Sequence, residues 1–398
     1  MRRALVLSAE TPSAVAAVRA LHGAGFEVSV LAEHLFSPAA ASWRCAQSLR
    51  VGAWRSDDLV SHVLDVDADV VVPVSEGDLL RLAPVRESVE RLAPVVAPAA
   101  EALLRATDKA ATGRVARELG DARVAGPDEA LLPADQKVGD VPDDDFPMVA
   151  KPRRSRTLLA DDSIWGDSAR FCADGYDLRE AHREFAAGSQ DTLVQRPVYG
   201  EALLASVLLH DDGRPALSFV HRRLREARPE GGPSACAVSH APSPELIEPA
   251  VAMAAELGLF GVPVQFEFLV PENGPSVLLD VNARPWGTLG LALDAGVDFY
   301  GVAACHALGD PLPETPPDYQ IGLVRQYLPF EVRHALAVIF GGPPAGYEGA
   351  WPASPLGAAL SAAFLPSNAL VFQSGDPLPA FADFAHIVRR TIWKSSAV

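Results

Sequence analysis

The first 80 residues alternate between short apolar runs and helical segments, and this rhythm constrains the fold more than any other feature of the chain. The runs "ALVLSA", "FEVSVLAE" and "DVVVPVSE" predict buried strands. The segment "SAVAAVRALHGAG" predicts a helix that ends at Gly23 and Gly25. Strands that alternate with helices are typical of a parallel sheet covered on both faces.

Polar residues follow these strands, and parallel sheets bind ligands beyond the carboxyl ends of their strands. The polar residues at these strand ends are Ser8, Glu33, Ser75 and Glu76. They either line a ligand-binding crevice or simply lead the chain into solvent. The first turn, "SAETPSA", lacks the G-x-G-x-x-G pattern, so a dinucleotide site is poorly supported. The sequence also contains no Walker-type, G-x-S-x-G or H-E-x-x-H motif.

Size and composition narrow the class of protein. The chain has 398 residues, which predicts two or three domains. A net charge of -17 disfavours nucleic-acid binding. The four cysteines lie far apart without metal or redox spacing, which indicates reduced thiols in a cytoplasmic protein. The N-terminal apolar run is too short for a signal peptide, and no uninterrupted run reaches the roughly 20 residues of a membrane-spanning helix.

The middle of the chain carries two of the four lysines, Lys109 and Lys151. Lys109 lies in the first turn of a helix predicted over 107–120, with Asp108 beside it. A loop is predicted over 126–145, and the strand "FPMVAKP" then ends at Lys151 before the basic loop "RRSRT". Each lysine could deliver an ammonium group to phosphates, or could be an ordinary surface lysine.

Two predicted hairpins follow, with turns at "DDGR" and "PENG". Alternation puts Glu267 on one face of the second hairpin, within reach of Asp280 and Asn282 on the returning strand. Two carboxylates and an amide oxygen are hard ligands that suit Mg²⁺ and its bound phosphate oxygens. Arg284 can bind the same phosphate through its guanidinium fork. The alternative is a structural ion pair at a strand end.

With Lys109, Lys151, the connector "LVQRPVYGE" and "FEF…LLDVNARPWG" in this order, the sequence resembles the ATP-grasp superfamily of carboxylate–amine ligases over about residues 1–312. The resemblance implies a mixed α/β and α+β chain. An N-terminal Rossmann-like domain (1–106) is expected before the two α+β subdomains of the ATP-grasp fold (107–198 and 199–312). A small, mostly helical appendage (313–398) follows.

The resemblance also implies roles for individual residues. Lys109 and Lys151 would contact the phosphates of ATP, and Glu201 would bind the ribose. The adenine would lie against a hinge formed by Gln195, Arg196 and Val198. Mg²⁺, or Mn²⁺ in its place, would be held by Glu267, Asp280 and Asn282, with Arg284 on the transferring phosphate.

Two departures from the family pattern stand out. Asp280 occupies a position where Glu is usual, which shortens one metal ligand by a methylene group. The loop after Lys151 lacks the usual glycines. The loop contains Arg153, Arg154 and Arg156. These arginines either cover the phosphates with their positive charge or belong to a disordered basic loop.

The chemistry that the resemblance implies is attack of a carboxylate on the γ-phosphate, followed by displacement of phosphate from the acyl phosphate by an amine. Small-molecule carboxylate and amine substrates are therefore expected. A kinase-type phosphotransferase and a nucleotide-binding regulatory module without turnover are the alternatives. Product analysis distinguishes the ligase from the kinase, because only the kinase leaves phosphate on its product.

The acceptor end of the site is expected near "HRRLREARPEGGPSACAVS". His221 and Arg222 belong to a predicted cationic cluster, and alternation puts Arg223 and Arg225 on one face. These residues either recognise a carboxylate, a phosphate or the acyl phosphate, or form a solvated basic strand. The segment "GGPS" would allow the backbone to approach a ligand closely.

Beyond residue 312, "HALAVIFGG", "LGAALSAAFLPSNALVF" and "FADFAHIVRRTIWK" predict short amphipathic or apolar helices. A packed helical appendage or a homodimer surface is one interpretation. Weak peripheral membrane contact is the other, and both rest on the residues Trp351, Arg389, Arg390, Trp393 and Lys394.

Overall fold

The computed structural model describes residues 1–52, 54–139, 141–352 and 369–395. Its first layer is a parallel sheet with strand order β3-β2-β1-β4. The strands are β1 (Arg3–Val6), β2 (Glu27–Ala32), β3 (Cys45–Arg50) and β4 (Val70–Val72). The helices of this region are α1 (Pro12–Gly23), α2 (Leu59–Asp65), α3 (Glu76–Leu82), α4 (Arg86–Glu90) and α5 (Ala100–Ala106). The predicted parallel sheet is confirmed, although the sequence analysis missed β3.

Local signals in the sequence explain where these helices begin. The hydroxyl of Thr11 accepts a hydrogen bond from the Ala14 amide, and Pro12 follows it at the first helical position of α1. Ser75 caps α3 in the same way, by accepting from the amide of Asp78 at 3.0 Å. Ser8 donates to the buried carboxylate of Asp78 at 2.6 Å. Ser8 and Ser75 therefore hold the start of α3 in place.

The second layer is an antiparallel sheet with strand order β10-β7-β11-β6. Helix α7 covers one face of it with Leu178, Ala181 and Phe185, which pack near Ala150 and Cys172. The elements of this region are α6 (Lys109–Glu118), β5 (Val124–Ala125), β6 (Glu129–Leu132), β7 (Met148–Pro152), β8 (Arg156–Leu158), β9 (Ile164–Gly166), β10 (Arg170–Cys172), α7 (Gly175–Ala187) and β11 (Thr192–Gln195).

The third layer is a seven-stranded sheet with strand order β17-β14-β13-β12-β15-β16-β5. Both predicted hairpins form here, as β12–β13 and β15–β16. The remaining elements are β12 (Glu201–Leu209), β13 (Pro215–Glu226), β14 (Ser234–His240), α8 (Pro244–Leu257), β15 (Val264–Val270), β16 (Ser276–Asn282), α9 (Leu289–Ala295), α10 (Phe299–Ala307), β17 (Val324–Gln326), α11 (Leu328–Phe340) and α12 (Leu378–Ser395).

Two predictions about loops were wrong. The segment 126–145 contains the edge strand β6, which pairs with β11 from Glu129 to Leu132. The basic segment after Lys151 leads into a hairpin, in which Arg156 pairs with Gly166 across β8 and β9. Both strands are short, and β6 depends on a partner about 60 residues further along the chain, so local polarity concealed them.

The predicted domain boundaries stay predictions, and several elements cross them. Strand β5 pairs with β16, and β17 extends the seven-stranded sheet from beyond residue 312. Helix α1 packs against α9 and α10 in one core that includes Val15, Leu21 and Phe299. The four cysteines are unpaired, as expected. No helix in the described ranges is long and apolar enough to cross a membrane.

A buried ion pair ties the C-terminal region to the first sheet. Nε of Arg19, on α1, donates to Oδ2 of Asp376 at 3.0 Å, and their side chains are 3% and 0% exposed. Asp376 also accepts from the Ser42 hydroxyl at 2.8 Å and from the Trp43 amide at 3.0 Å. The predicted segment "LGAALSAAFLPSNALVF" lies largely outside the described residues, as do the side chains of Arg390, Trp393 and Lys394.

We expect Asp376→Ala to lower the free energy of unfolding by about 3–5 kcal/mol, because it leaves the Arg19 guanidinium buried without a counter-charge. Urea denaturation measures the change. Asp212→Ala is the control, because the Asp212–Arg214 pair is more than half exposed on both sides. Equal, small effects of the two substitutions would show that the buried pair does not hold the C-terminal region in place.

Candidate active site

A cavity of about 1330 Å³ lies between the antiparallel four-stranded sheet (β10-β7-β11-β6) and the seven-stranded sheet. It brings together ten of the twelve residues predicted from the sequence: Lys109, Lys151, Gln195, Arg196, Val198, Glu201, Arg223, Arg225, Glu267 and Asp280. Asn282 borders this set, whereas Arg284 does not line the cavity. Sheets that face each other across a cavity of this size form a typical small-molecule site.

The predicted metal ligands meet on one face of the β15–β16 hairpin. Glu267 lies directly opposite Asp280, and Gln265 lies opposite Asn282. The Asn282 amide donates to Oε1 of Glu267 at 3.0 Å. The other oxygen of Glu267 accepts from Arg223 at 2.7 Å. Strand pairing alone therefore places two carboxylates and an amide next to one another.

The two lysines approach these carboxylates from other elements. Lys109 is the first residue of α6, and its Nζ lies 3.8 Å from Oδ1 of Asp280 and 2.6 Å from the Ser155 hydroxyl. Lys151 lies on β7 and is 8% exposed. The pKa of Lys151 is lowered to about 8, mainly by burial; the charge of Asp280 opposes this shift, and the charge of Lys109 contributes to it.

The predicted hinge leads from β11 to β12 along the wall of the cavity. Residues 196–200 lie outside any strand, so their backbone groups are not committed to a sheet. The Gln195 amide donates to Glu129 at 2.8 Å, and Arg196 lies 3.6 Å from Asp145. Glu201, predicted to bind ribose, accepts from Arg222 at 2.8 Å. The connector has the position that the sequence predicted.

The arginines after Lys151 have a different position from either predicted alternative. Arg153 donates to both oxygens of Asp108, and Arg154 donates to the same carboxylate at 3.2 Å. Asp108 is the N-cap residue of α6, with its side chain accepting from the Ala110 amide. These two arginines therefore anchor the helix that carries Lys109, and they neither project over the cavity nor belong to a disordered loop.

The predicted cationic cluster near residue 223 needs correction. His221 is fully buried, and burial together with the charge of Arg223 lowers its pKa to about 3, so its ring is neutral near pH 7. The strand register shifts between Arg223 and Arg225, which breaks the expected alternation. Arg223 binds the carboxylates of Glu226 and Glu267. The cluster is thus largely neutralised.

Two further predicted residues have identified contacts. Arg225 donates to both carboxylate oxygens of Glu331, a fully buried residue of α11. Arg284 donates to the Pro285 carbonyl at 3.1 Å and forms no ion pair within the described part of the chain. Arg225 therefore joins the sheet to the C-terminal helix, while Arg284 keeps its charge uncompensated.

The sequence analysis missed the part of the cavity wall that comes from the C-terminal region: His334 of α11, and Tyr347 and Trp351 after it. Trp351 was expected in a packed helical appendage, a dimer surface or a membrane contact. Its ring lies 6.1 Å from the Tyr347 ring at the cavity wall. No local pattern links Tyr347 and Trp351 to a hinge about 150 positions earlier.

Solved structures share this fold. The biotin carboxylase domain of 2-oxoglutarate carboxylase from Hydrogenobacter thermophilus, solved as a dimer with MgADP, ADP and bicarbonate, is 17% identical. The match covers 80% of this chain and 73% of that chain, with a TM-score of 0.59. Biotin carboxylase from Campylobacter jejuni, solved as an ATP-analogue complex, is 16% identical over 80% of this chain and 74% of that chain, with a TM-score of 0.59.

A third structure matches almost the whole chain. An ADP complex of N5-carboxyaminoimidazole ribonucleotide synthetase is 15% identical, and the match covers 92% of this chain and 97% of that chain with a TM-score of 0.61. No family model matches the sequence, and no curated protein gives a significant match. The chain therefore has the ATP-grasp fold, which confirms the predicted fold class.

We expect Lys151→Met to stabilise the ligand-free protein at pH 7 by on the order of 3 kcal/mol, since the lysine's pKa falls from 10.5 to about 8 on folding. Below pH 8 the lysine is protonated in both states, so the full cost of burying its charge is present. The cost disappears as the pH rises from 8 to 10.5. Urea denaturation at pH 7 and pH 10.5 measures this.

The control is Lys137→Met, because Lys137 is exposed. It should leave the free energy of unfolding unchanged at both pH values. A destabilising effect of Lys151→Met at pH 7 would show that the ammonium group is held by favourable interactions within the ligand-free protein. Burial of the Lys151 ammonium would then not destabilise the ligand-free protein, and a bound anion would have no such cost to offset.

Proposed function

We propose that the protein is an ATP- and Mg²⁺-dependent ligase that activates a carboxylate as an acyl phosphate and couples it to an amine, with release of ADP and phosphate. One observation carries the proposal: Lys109, Lys151, Glu267 and Asp280 converge in a single cavity between two sheets. The structures that share the fold support it, because they include a carboxylase domain with MgADP and bicarbonate and a synthetase with ADP.

The carboxylates and the amide fit a magnesium ion. Glu267, Asp280 and Asn282 offer hard oxygen ligands from adjacent strands. Only two of them are carboxylates, and in the described ranges no group of three or more His, Cys, Asp or Glu residues could hold a metal by itself. The set suits an ion that takes its remaining ligands from phosphate and water. When bound, Mg²⁺ would neutralise charge on the β- and γ-phosphates.

The side chains of the cavity have separate roles in the first step. Lys109 and Lys151 bind phosphate oxygens, while the hinge and Glu201 hold adenine and ribose. A carboxylate oxygen of the substrate attacks the γ-phosphorus, the bond from that phosphorus to the bridging oxygen breaks, and ADP leaves with the electron pair. Arg223 stabilises the negative charge on the transferring phosphoryl group, whereas Arg284 does not line the cavity and is assigned no contact with that group. Positioning and charge neutralisation supply the catalysis.

In the second step, the nitrogen lone pair of the amine attacks the carbonyl carbon of the acyl phosphate. The new C–N bond forms as the C–O bond to phosphate breaks, and phosphate leaves while the nitrogen loses one proton. No covalent nucleophile of the protein is needed.

Release of ADP and phosphate from MgATP with pooled carboxylic acids and pooled amines tests the proposal. Release that requires both pools is expected. ADP formation with phosphate retained on a product would indicate the kinase-type phosphotransferase. Nucleotide binding without release under any pool would indicate the regulatory module and contradict a ligase.

Asp280→Asn and Asn282→Ala should each lower kcat by at least about 100-fold, because each removes a ligand of the metal that supports phosphoryl transfer. The steady-state rate of ADP formation measures this. Circular dichroism and thermal unfolding check that both variants fold. If both retain near-normal turnover, the metal lies elsewhere.

We also propose a cytoplasmic protein that forms a homodimer through α11. Along this helix Leu328, Val332, Leu336 and Phe340 are 50%, 48%, 49% and 83% exposed. They recur every four residues and thus form an apolar stripe. Light scattering after gel filtration should give twice the chain mass, and Phe340→Glu should shift it towards the monomer. A monomeric parent protein would contradict this.

A further inference from the structure

One end of the cavity has a chemical character that the nucleotide and the metal do not explain. We call it the aromatic–acidic box, and it consists of Tyr199, Tyr347, Trp351, Glu226 and Glu230, all of which line the cavity. The Tyr347 ring lies 5.4 Å from the Tyr199 ring and 6.1 Å from the Trp351 ring, at interplanar angles of 87° and 82°. Three nearly perpendicular rings thus adjoin two carboxylates.

The segment after α11 is held in place at this end of the cavity. The Tyr347 hydroxyl donates to the Pro229 carbonyl at 3.0 Å. Gly346 has φ +74, and a side chain there would start 3.3 Å from Pro147 on the opposite sheet layer. The Tyr347 ring also lies 5.7 Å from Phe171. Tyr347 therefore bridges the two layers that enclose the cavity.

Two buried polar atoms of the box have no hydrogen-bond partner among the residues that the structure describes. They are the Tyr199 hydroxyl oxygen and Oε2 of Glu230. The other oxygen of Glu230 accepts from Arg228 at 2.7 Å, and the Arg228 side chain is 56% exposed. Buried polar groups almost always have hydrogen-bond partners. An unpaired carboxylate oxygen and an unpaired hydroxyl in a cavity wall indicate a ligand that donates hydrogen bonds.

The charge of the box favours a cation. Arg223 is the ion-pair partner of both Glu226 and Glu267, so one guanidinium faces two carboxylates. Among the described residues, the ion-pair partner of Glu230 is Arg228, whose side chain is more than half exposed. Burial, followed by the charge of Glu226, raises the pKa of Tyr347 to about 12. The Tyr347 hydroxyl therefore stays neutral at physiological pH, and its ring presents a π face.

The carboxylates of the box lie on other elements than the metal ligands, although Arg223 pairs with both Glu226 and Glu267. Glu267 and Asp280 lie on β15 and β16, on one side of β12 in the seven-stranded sheet. Glu226 ends β13, on the other side of β12, and Glu230 follows in the β13–β14 connection. A nucleotide bound along the hinge and over β15 and β16 would border Tyr199, whereas Glu226 and Glu230 lie on the far side of β12 from the metal ligands. The cavity volume of about 1330 Å³ exceeds the roughly 300–1,000 Å³ of a single small-molecule pocket.

We propose that the aromatic–acidic box binds a cationic group, an ammonium or a guanidinium, of the amine substrate. The inference rests on the proposed ligase function and narrows its acceptor to amines that carry a positive charge. Aromatic faces attract such a cation through their quadrupoles, and the two carboxylates accept its hydrogen bonds. The bound cation is either the protonated form of the reacting amine or a second cationic group of the same molecule.

The test uses n-butylammonium and its neutral isostere 1-butanol as probes, with the protein saturated with MgADP. Saturation-transfer NMR titrations give both affinities. We expect n-butylammonium to bind at least about tenfold more tightly than 1-butanol, and Glu230→Gln and Trp351→Leu each to weaken its binding by about fivefold. Leucine keeps an apolar side chain at 351 but removes the π face.

Glu348→Gln is the matched control, because it makes the same change in net charge next to Tyr347 but at an exposed residue that does not line the cavity. It should leave n-butylammonium binding unchanged, and all three variants should bind MgADP as the parent protein does. The inference is wrong if both probes bind equally, if neither binds in the millimolar range, or if Glu348→Gln weakens binding as much as Glu230→Gln.

A different result would also overturn the inference: weaker MgADP binding in Trp351→Leu with unchanged n-butylammonium binding would assign the aromatic rings to the nucleotide. The probes require no turnover, so this test and the ligase assay fail separately. ADP release that depends on the acid and the amine, without a preference for the cationic probe, would support the ligase and contradict the cation site. A preference for the cationic probe without ADP release would support the cation site and contradict the ligase.

Discussion

The candidate active site depends on the register of the β15–β16 hairpin, which places Glu267 directly opposite Asp280. A shift of one residue would turn Asp280 and Asn282 to the other face of the sheet. The same register concentrates negative charge at one wall of the cavity. The protein offsets this charge with Lys109 of α6, Lys151 of β7 and Arg223 of β13. In the ligand-free protein these charges compensate one another only in part. A bound metal–nucleotide complex would supply both the cation for the carboxylates and the anion for the lysines, which is why we place it there.

Much of the fold followed from local patterns. The parallel sheet of the first region and both hairpins have clear periodicity and turn residues, and each is present. Ten of the twelve predicted site residues line one cavity. The two exceptions, Asn282 and Arg284, come from the motif "LLDVNARPWG", of whose three predicted site residues only Asp280 reaches the cavity wall. Weaker elements were missed where tertiary pairing decides the outcome. The edge strand β6 lies in a polar, proline-rich segment, and β14 follows a glycine-rich turn. His221 was assigned a charge because a histidine among arginines indicates a basic patch, whereas its complete burial makes the ring neutral.

The C-terminal region shows what sequence patterns could not predict. Its helices were expected from their apolar spacing, but their partners were not. Glu331 of α11 binds Arg225, Asp376 binds Arg19, and Tyr347 with Trp351 completes the cavity wall. Each contact joins residues separated by about 100 positions or more, and nothing local marks the partner. The last of these contacts matters for function, since a region expected to be an appendage supplies two of the three aromatic rings of the proposed acceptor site.

The transfer of ¹⁸O from a carboxylate substrate to phosphate tests the central claim most directly. The protein would be incubated with MgATP, pooled amines and carboxylic acids labelled with ¹⁸O in the carboxylate, and the released phosphate would be examined by ³¹P NMR. An acyl phosphate intermediate requires one carboxylate oxygen to leave with phosphate, so the account predicts one ¹⁸O atom per phosphate. Unlabelled phosphate, with amide formed or with ATP merely hydrolysed, would contradict the account, because the carboxylate would then not have attacked the γ-phosphorus.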